Sequence, residues 1–188
     1  MTENKKYELT NEIKEWCGYT LHRIKALKDF GAVKAGELGG WIESEHNLSQ
    51  GGDCWIYDNA TVCDDATVCD DAEVYDGAIV CDDATVGGYA TVRNDATVCG
   101  SATVRNDATV CGDAEVCRNT DYTVVQGFGR VQRMTTFYRL KDGDIGVACG
   151  CFRGTIKQFR DKVRKTHGDS KYAEEYLIIA DLMELHFG

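Results

Sequence analysis

Between Ala60 and Cys117 one six-residue unit recurs ten times, with Ala first, Val third and usually Thr between them. A strict period of six fits neither a helix, whose apolar positions recur every three or four residues, nor a hairpin; a short fixed period is the mark of a solenoid. In an extended unit alternate side chains share a face, so Ala60 with Val62, Ala66 with Val68 and their successors point inward. Thr and the residue after Val point outward. The last two residues of each unit, among them Asp64-Asp65, Asp70-Asp71, Asp82-Asp83 and Asn94-Asp95, tolerate turn or left-handed backbone and so form a corner. Three units then close one triangular coil of 18 residues.

The register extends backward. Ile56 lies one unit before Val62, with Cys54 inside and Trp55 and Tyr57 outside; Leu48 precedes it by one unit plus an insertion, Gly51-Gly52; Ile42 lies six before Leu48. Stacking by threes gives coils centred on Ile42, Leu48 and Ile56, then Val62, Val68 and Val74, then Val80, Val86 and Val92, then Val98, Val104 and Val110, with Val116 opening a fifth. The chain therefore divides into an N-terminal capping segment at 1–40, a solenoid at 41–119 and a C-terminal domain at 120–188. In the first, Tyr19 to Phe30 reads either as a strand or as a short helix, and Gly31, Gly36, Gly39 and Gly40 read as turns. In the last, Tyr122 to Val125, Val131 to Leu140 and Ile145 to Phe152 read as strands, with a turn at Lys141 to Asp144. Thr155 and Ser170 cap two helices, the first carrying Ile156, Phe159 and Val163 on one face and ending near His167-Gly168. The second carries Tyr172, Tyr176, Ile179, Met183 and Phe187, so the tail is expected to be a β-β-β-α-α domain.

The pairing of an aliphatic residue with a small one four later, as in Val62 with Ala66, Val68 with Ala72 and Val104 with Ala108, resembles the hexapeptide-repeat proteins. That resemblance implies a left-handed parallel β-helix; the handedness comes from it alone, against the usual right-handed preference of parallel crossovers. The order Leu38-Gly-Gly-Trp-Ile-Glu-Ser44, repeats, Cys149-Gly-Cys-Phe152 and two helices is similar to small uncharacterised members carried by bacterial viruses and prophages. This similarity implies an accessory viral role, in the host cytoplasm. Function itself needs a site, because one scaffold hosts many.

Charge narrows the partners. Between Asp53 and Asn119 fourteen acids face only Arg93, Arg105 and Arg118, a net of −11, while the whole chain carries −10. Such a prism is a poor binder of nucleic acid and a natural complement to a basic protein surface. The N-terminus is polar and no apolar run reaches the roughly 18 residues of a membrane span. With no signal peptide in view, the ten cysteines are expected as reduced thiols of a cytoplasmic protein. Cys63, Cys81, Cys99 and Cys117, each 18 apart, should form one outward column in which neighbours, about 4.8 Å apart, approach disulfide range, but which is too straight to hold zinc. Cys149 and Cys151 are expected to alternate on one strand.

The best-known proteins of the resembled family are acyltransferases with a His general base. Of His22, His46, His167 and His186, none falls within Ala60 to Asn119, and only His46, on the first coil, could serve. The Asp pairs lack the glycine-rich calcium repeat and the converging oxygens that calcium needs, and corner geometry already explains them. The outward Thr residues are spread over three faces, so strand propensity accounts for them better than a flat ice-binding array. The expected function is therefore non-enzymatic, without cofactor or metal. Asp64, Asp65, Asp70, Asp71, Asp82 and Asp83 would present phosphate-like carboxylates to a host defence or nucleic-acid-handling protein, and the tail would bind a partner or drive a homo-oligomer. Two alternatives stay open: an oligomeric sponge for a small signalling nucleotide using Arg93, Arg105 or basic residues of the tail, and an acyltransferase.

Overall fold

The computed structural model describes residues 5–188. It opens with an antiparallel hairpin, β1 (Tyr7–Trp16) and β2 (Tyr19–Ala26), followed by β3 (Leu38–Ile42) and a single 3-10 turn at Glu45–Asn47. Eleven strands of two or three residues follow, from β4 (Trp55–Ile56) to β14 (Glu115–Val116), and all pair in parallel. Val62 lies beside Val80, Val80 beside Val98 and Val98 beside Val116, which is the 18-residue coil. Ile42 meets Val62 and Leu48 meets Val68, while Ile56 meets Val74. The coil that is two residues longer is thus the one holding Gly51-Gly52, and the extra pair falls at its corner, where it shifts no inward side chain.

Every Ala and Val of the repeat is fully buried from Ala60 to Val116. Each corner places its first residue at positive φ: Asp64, Asp70, Asp76 and Asp82 near 56–58°, Asn94 and Asn106 at 63° and 62°, and Gly88, Gly100 and Gly112 at 56–68°. These three residue types are the ones for which the left-handed region costs least, so the corner slot selects its own composition.

Both ends of the prism are covered. At the first coil Tyr7, Ile24, Ala26 and Val33 join the solenoid core, and the buried Lys6 points its ammonium at the carbonyls of Gly51, Gly52 and Cys54 at 3.3, 3.3 and 3.0 Å. Tyr19 to Ala26 is a strand, which settles the ambiguity of that segment; it pairs with β3 and carries one face of the prism into a seven-stranded sheet. Gly39 and Gly40 correct the expectation of turns. They lie inside β3, where a Cβ would come within 2.6 Å of Trp55, Ile24 and the carbonyls of Ile56 and Ala60, so close approach of chains requires glycine there.

At the other end stands a four-stranded antiparallel meander of β15 (Tyr122–Val125), β16 (Thr135–Arg139), β17 (Ile145–Cys149) and β18 (Phe152–Thr155). It is followed by α1 (Ile156–His167) and α2 (Lys171–Phe187), capped by Thr155 and Ser170. The tail has one strand more than expected. The run from Ile145 to Phe152 does not continue as one strand but folds back at Gly150-Cys151, with Gly150 at φ 59°, so Cys149 ends one strand and Cys151 lies in the hairpin turn instead of the two alternating along a strand. Tyr172 is exposed, whereas Tyr176, Ile179, Met183 and Phe187 are buried as expected. The sheet is two-sided: Tyr138 and Ala148 join the solenoid core, and Phe137 and Val147 join the helices. No helix among the described residues is long and apolar enough to cross a membrane.

Candidate functional site

The corner acids are the site that the sequence proposes, and the structure gives their side chains definite bonds. At a corner the backbone ladder breaks and leaves the N–H of the positive-φ residue without a carbonyl partner from the adjacent coil. Asp82 N–H donates to Asp64 Oδ2 at 3.4 Å, Gly100 N–H to Asp82 Oδ2 at 2.8 Å, and Asp64 N–H to Glu43 Oε2 at 2.8 Å. Glu43, Asp64 and Asp82 are therefore successive rungs along one edge. The other corners repeat the device, with Gly88 N–H on Asp70 at 2.9 Å and Asn94 N–H on Asp76 at 3.2 Å. Asp71 accepts from Asp53 N–H at 3.0 Å. Sequence reasoning identified these acids as turn formers but missed their inter-coil bonds, whose signal was the recurrence of Asp 18 residues before Asp, Gly or Asn.

The six acids do not form one patch. Asp64, Asp65, Asp82 and Asp83 share a corner, and Asp70 and Asp71 belong to the next corner along the chain. At the first corner Asp65 and Asp83 are exposed and accept no protein hydrogen bond among the described residues, so their carboxylates remain outward and available. Tyr19 reaches this edge from the N-terminal hairpin, and its interaction with Asp64 pushes the phenol up to about 12, so it keeps its proton.

The cysteine column lies on the adjoining face, as the spacing implies. Cys63 and Cys81 are free, and burial, followed by the charge of the corner acids, pushes their thiols up to about 12 and about 11. They are neutral near pH 7 and poor nucleophiles. Cys99 and Cys117, with Cα atoms 4.4 Å apart, are joined by a disulfide, which departs from the expectation of uniformly reduced thiols. Parallel strands hold outward neighbours of successive coils at this separation all along the face. Among the described residues no group of three or more His, Cys, Asp and Glu gathers into a metal-binding cluster.

His46 sits in the 3-10 turn, exposed, in an open notch of about 320 Å³ with Glu43, Ser44, Asp64 and Asp65. Arg93 and Arg105 lie on different faces of the prism, so a single chain does not bring them together.

No protein-family model matches the chain. A stretch of 42 residues, 22% of the chain, is 50% identical to the uncharacterized acetyltransferase YdcK of Escherichia coli (strain K12) and covers 13% of that protein. That partial match and the stacked coils together fit a hexapeptide-repeat β-helix.

Proposed function

We propose that this chain is a non-enzymatic interaction protein, a rigid capped prism that presents ordered carboxylates to a basic protein surface. The observation that carries the reading is the division of labour at one edge. Asp64 and Asp82 are tied into rungs, and that rigid frame holds Asp65 and Asp83 outward, one coil apart, with no internal partner. Preorganised charge of one sign speeds encounter with an oppositely charged partner and rejects like-charged ones. In the setting that resemblance to prophage-borne chains implies, the partner is a host defence or nucleic-acid-handling protein and the carboxylates stand in for phosphates.

A test that spares the frame replaces only the outward acids, as Asp65→Asn with Asp83→Asn. Partners captured from a bacterial lysate by the native chain and identified by mass spectrometry would then be assayed with both proteins. The double variant should stay folded, associate several-fold more slowly and lose much of its salt sensitivity. Unchanged association and salt response would overturn the acidic-edge reading.

A second reading is favoured by the match to the acetyltransferase of Escherichia coli. There His46, beside Glu43 and Asp65, would act as general base. Acetyl transfer from acetyl-coenzyme A that is abolished by His46→Ala, with the fold retained, would put this reading first.

A further inference from the structure

We propose that the cleft between the C-terminal sheet and its two helices binds a small amphipathic anion, a medium-length acyl or aryl tail bearing one carboxylate or phosphate head. This site is independent of the acidic edge and goes beyond the interaction reading. The cleft encloses about 300 Å³, at the lower end of small-molecule sites.

Its depth is apolar. Phe152, Phe159, Val163 and Tyr176 line it, with Phe159 set 5.7 Å from Phe152 and edge-on to Tyr176 at 5.6 Å. The polar atoms that Cys149 and Tyr176 bring to it are already engaged. Cys149 Sγ accepts from the Thr135 hydroxyl at 3.2 Å, and the Tyr176 hydroxyl donates to Phe128 O at 3.3 Å. A nucleobase would carry ring nitrogens and exocyclic groups into this floor without partners, at a cost of kilocalories, whereas a hydrocarbon tail loses nothing.

The mouth has the opposite character. Arg130, Arg133, Lys162 and His167 line it, and no acid does. Among the described residues Arg130, Arg133 and Lys162 take part in no ion pair. Glu175, next to Tyr176 in the chain, is not among the lining residues and is engaged by the Gly129 N–H at 2.9 Å and by Lys171 at 3.4 Å. In a chain of net charge −10, the stretch from Arg130 to Lys171 holds eleven Lys and Arg against four acids, a local positive field.

The loop that carries Arg130 is held in place for this role. Gly129 adopts φ 71° directly against Tyr176, where any Cβ would clash with the ring. Glycine there lets the chain cross the phenol and set Arg130 and Val131 over the opening. Val131 is left 59% exposed, an apolar surface that a bound tail would cover.

Calorimetric titration of the full chain with octanoate, octyl phosphate, octanol and octylammonium, all below their micellar concentrations, tests the assignment. The two anions should bind one per chain and at least tenfold more tightly than octanol, octylammonium should not bind, and added salt should weaken the anions alone. Their order identifies the head group. In an Arg130→Gln, Arg133→Gln, Lys162→Gln variant, whose substitutions lie outside the packed core, the anions should fall to the affinity of octanol while octanol and the melting temperature hold. Equal binding of octanoate and octanol, an unaltered triple variant, or no binding of any of these compounds at millimolar concentration would each overturn the proposal.

Discussion

The prism and the C-terminal domain are built by opposite logics, and the contrast tells where function can reside. In the prism each position of the repeat has one structural task. Ala and Val fill the interior, Asp, Asn or Gly takes the positive-φ corner, and the corner Asp bonds the next coil. Little of the unit is left free, so what remains for a partner is outward charge at fixed intervals. The tail obeys no period. Its segments from Phe128 to Tyr176 converge from a loop, a hairpin and two helices, and that irregularity is what leaves a cleft. A repeat supplies a surface, and a non-repeating domain supplies a cavity.

The sharpest way to break this comparison is in the prism core. Val86 is fully buried between Val68 and Val104 on its face, and a carboxylate there would have no partner. Val86→Asp should abolish soluble folding, since a buried acid must either take up a proton or stay unpaired, in each case losing the Val packing, at several kcal/mol out of the roughly 5–15 kcal/mol that holds a domain together. Thr85→Asp, one residue away but outward, should stay within about 1 kcal/mol of the native chain. Soluble expression and far-ultraviolet dichroism read both, and equal damage would refute the inward–outward register.

A smaller effect is expected where the two regions join. Asp121 is buried and accepts from the N–H groups of Cys117 and Arg118 at 3.2 and 2.9 Å and from the Arg118 guanidinium at 3.0 Å, with Arg139 at 3.4 Å. Burial opposes its ionisation, but these donors outweigh it and hold the carboxyl below the usual range. A lowered native pKa contributes stability that is complete above the unfolded value of about 3.9 and is lost as pH falls through the native value. Asp121→Asn should therefore cost about 2–3 kcal/mol near neutral pH, from charge-assisted bonds made neutral. The gap between variant and native chain should close in acid, as urea midpoints across pH would show. A gap that persists at low pH would mean that Asp121 acts through shape alone.

How much could be read in advance followed the same division. The hexad determined the coil length, the register, the cysteine column and even the Gly51-Gly52 insertion, because each repeat tests the reading of the one before. Non-repeating segments offered one chance each. Tyr7–Trp16 is mostly solvent-facing and lacks clean alternation, so β1 left no signal. Gly39-Gly40 resembles a turn until Trp55 and Ile24 are seen against it. The turn at Gly150-Cys151 lies within an apolar run that reads as one strand, and with it the strand β18 went unseen. The cleft combines Cys149 with Tyr176, His167 and Arg130, which no local spacing links. At the acidic edge the sequence shows which residues are acidic but not which are bonded, since Asp64 and Asp65 are neighbours with the same side chain and different surroundings.

That last distinction is the central claim, and equilibrium urea unfolding of two double variants tests it most directly. Asp64→Ala with Asp82→Ala forces alanine into positive φ twice, at about 1–2 kcal/mol each, and removes two acceptors worth about 1 kcal/mol each. It should cost about 4–6 kcal/mol in all. Asp65→Ala with Asp83→Ala removes the same charge from the same corner but touches no rung, and should leave stability within about 1 kcal/mol of native. Equal losses from the two variants, or a greater loss from the outward pair, would contradict the division of the edge into frame and binding surface.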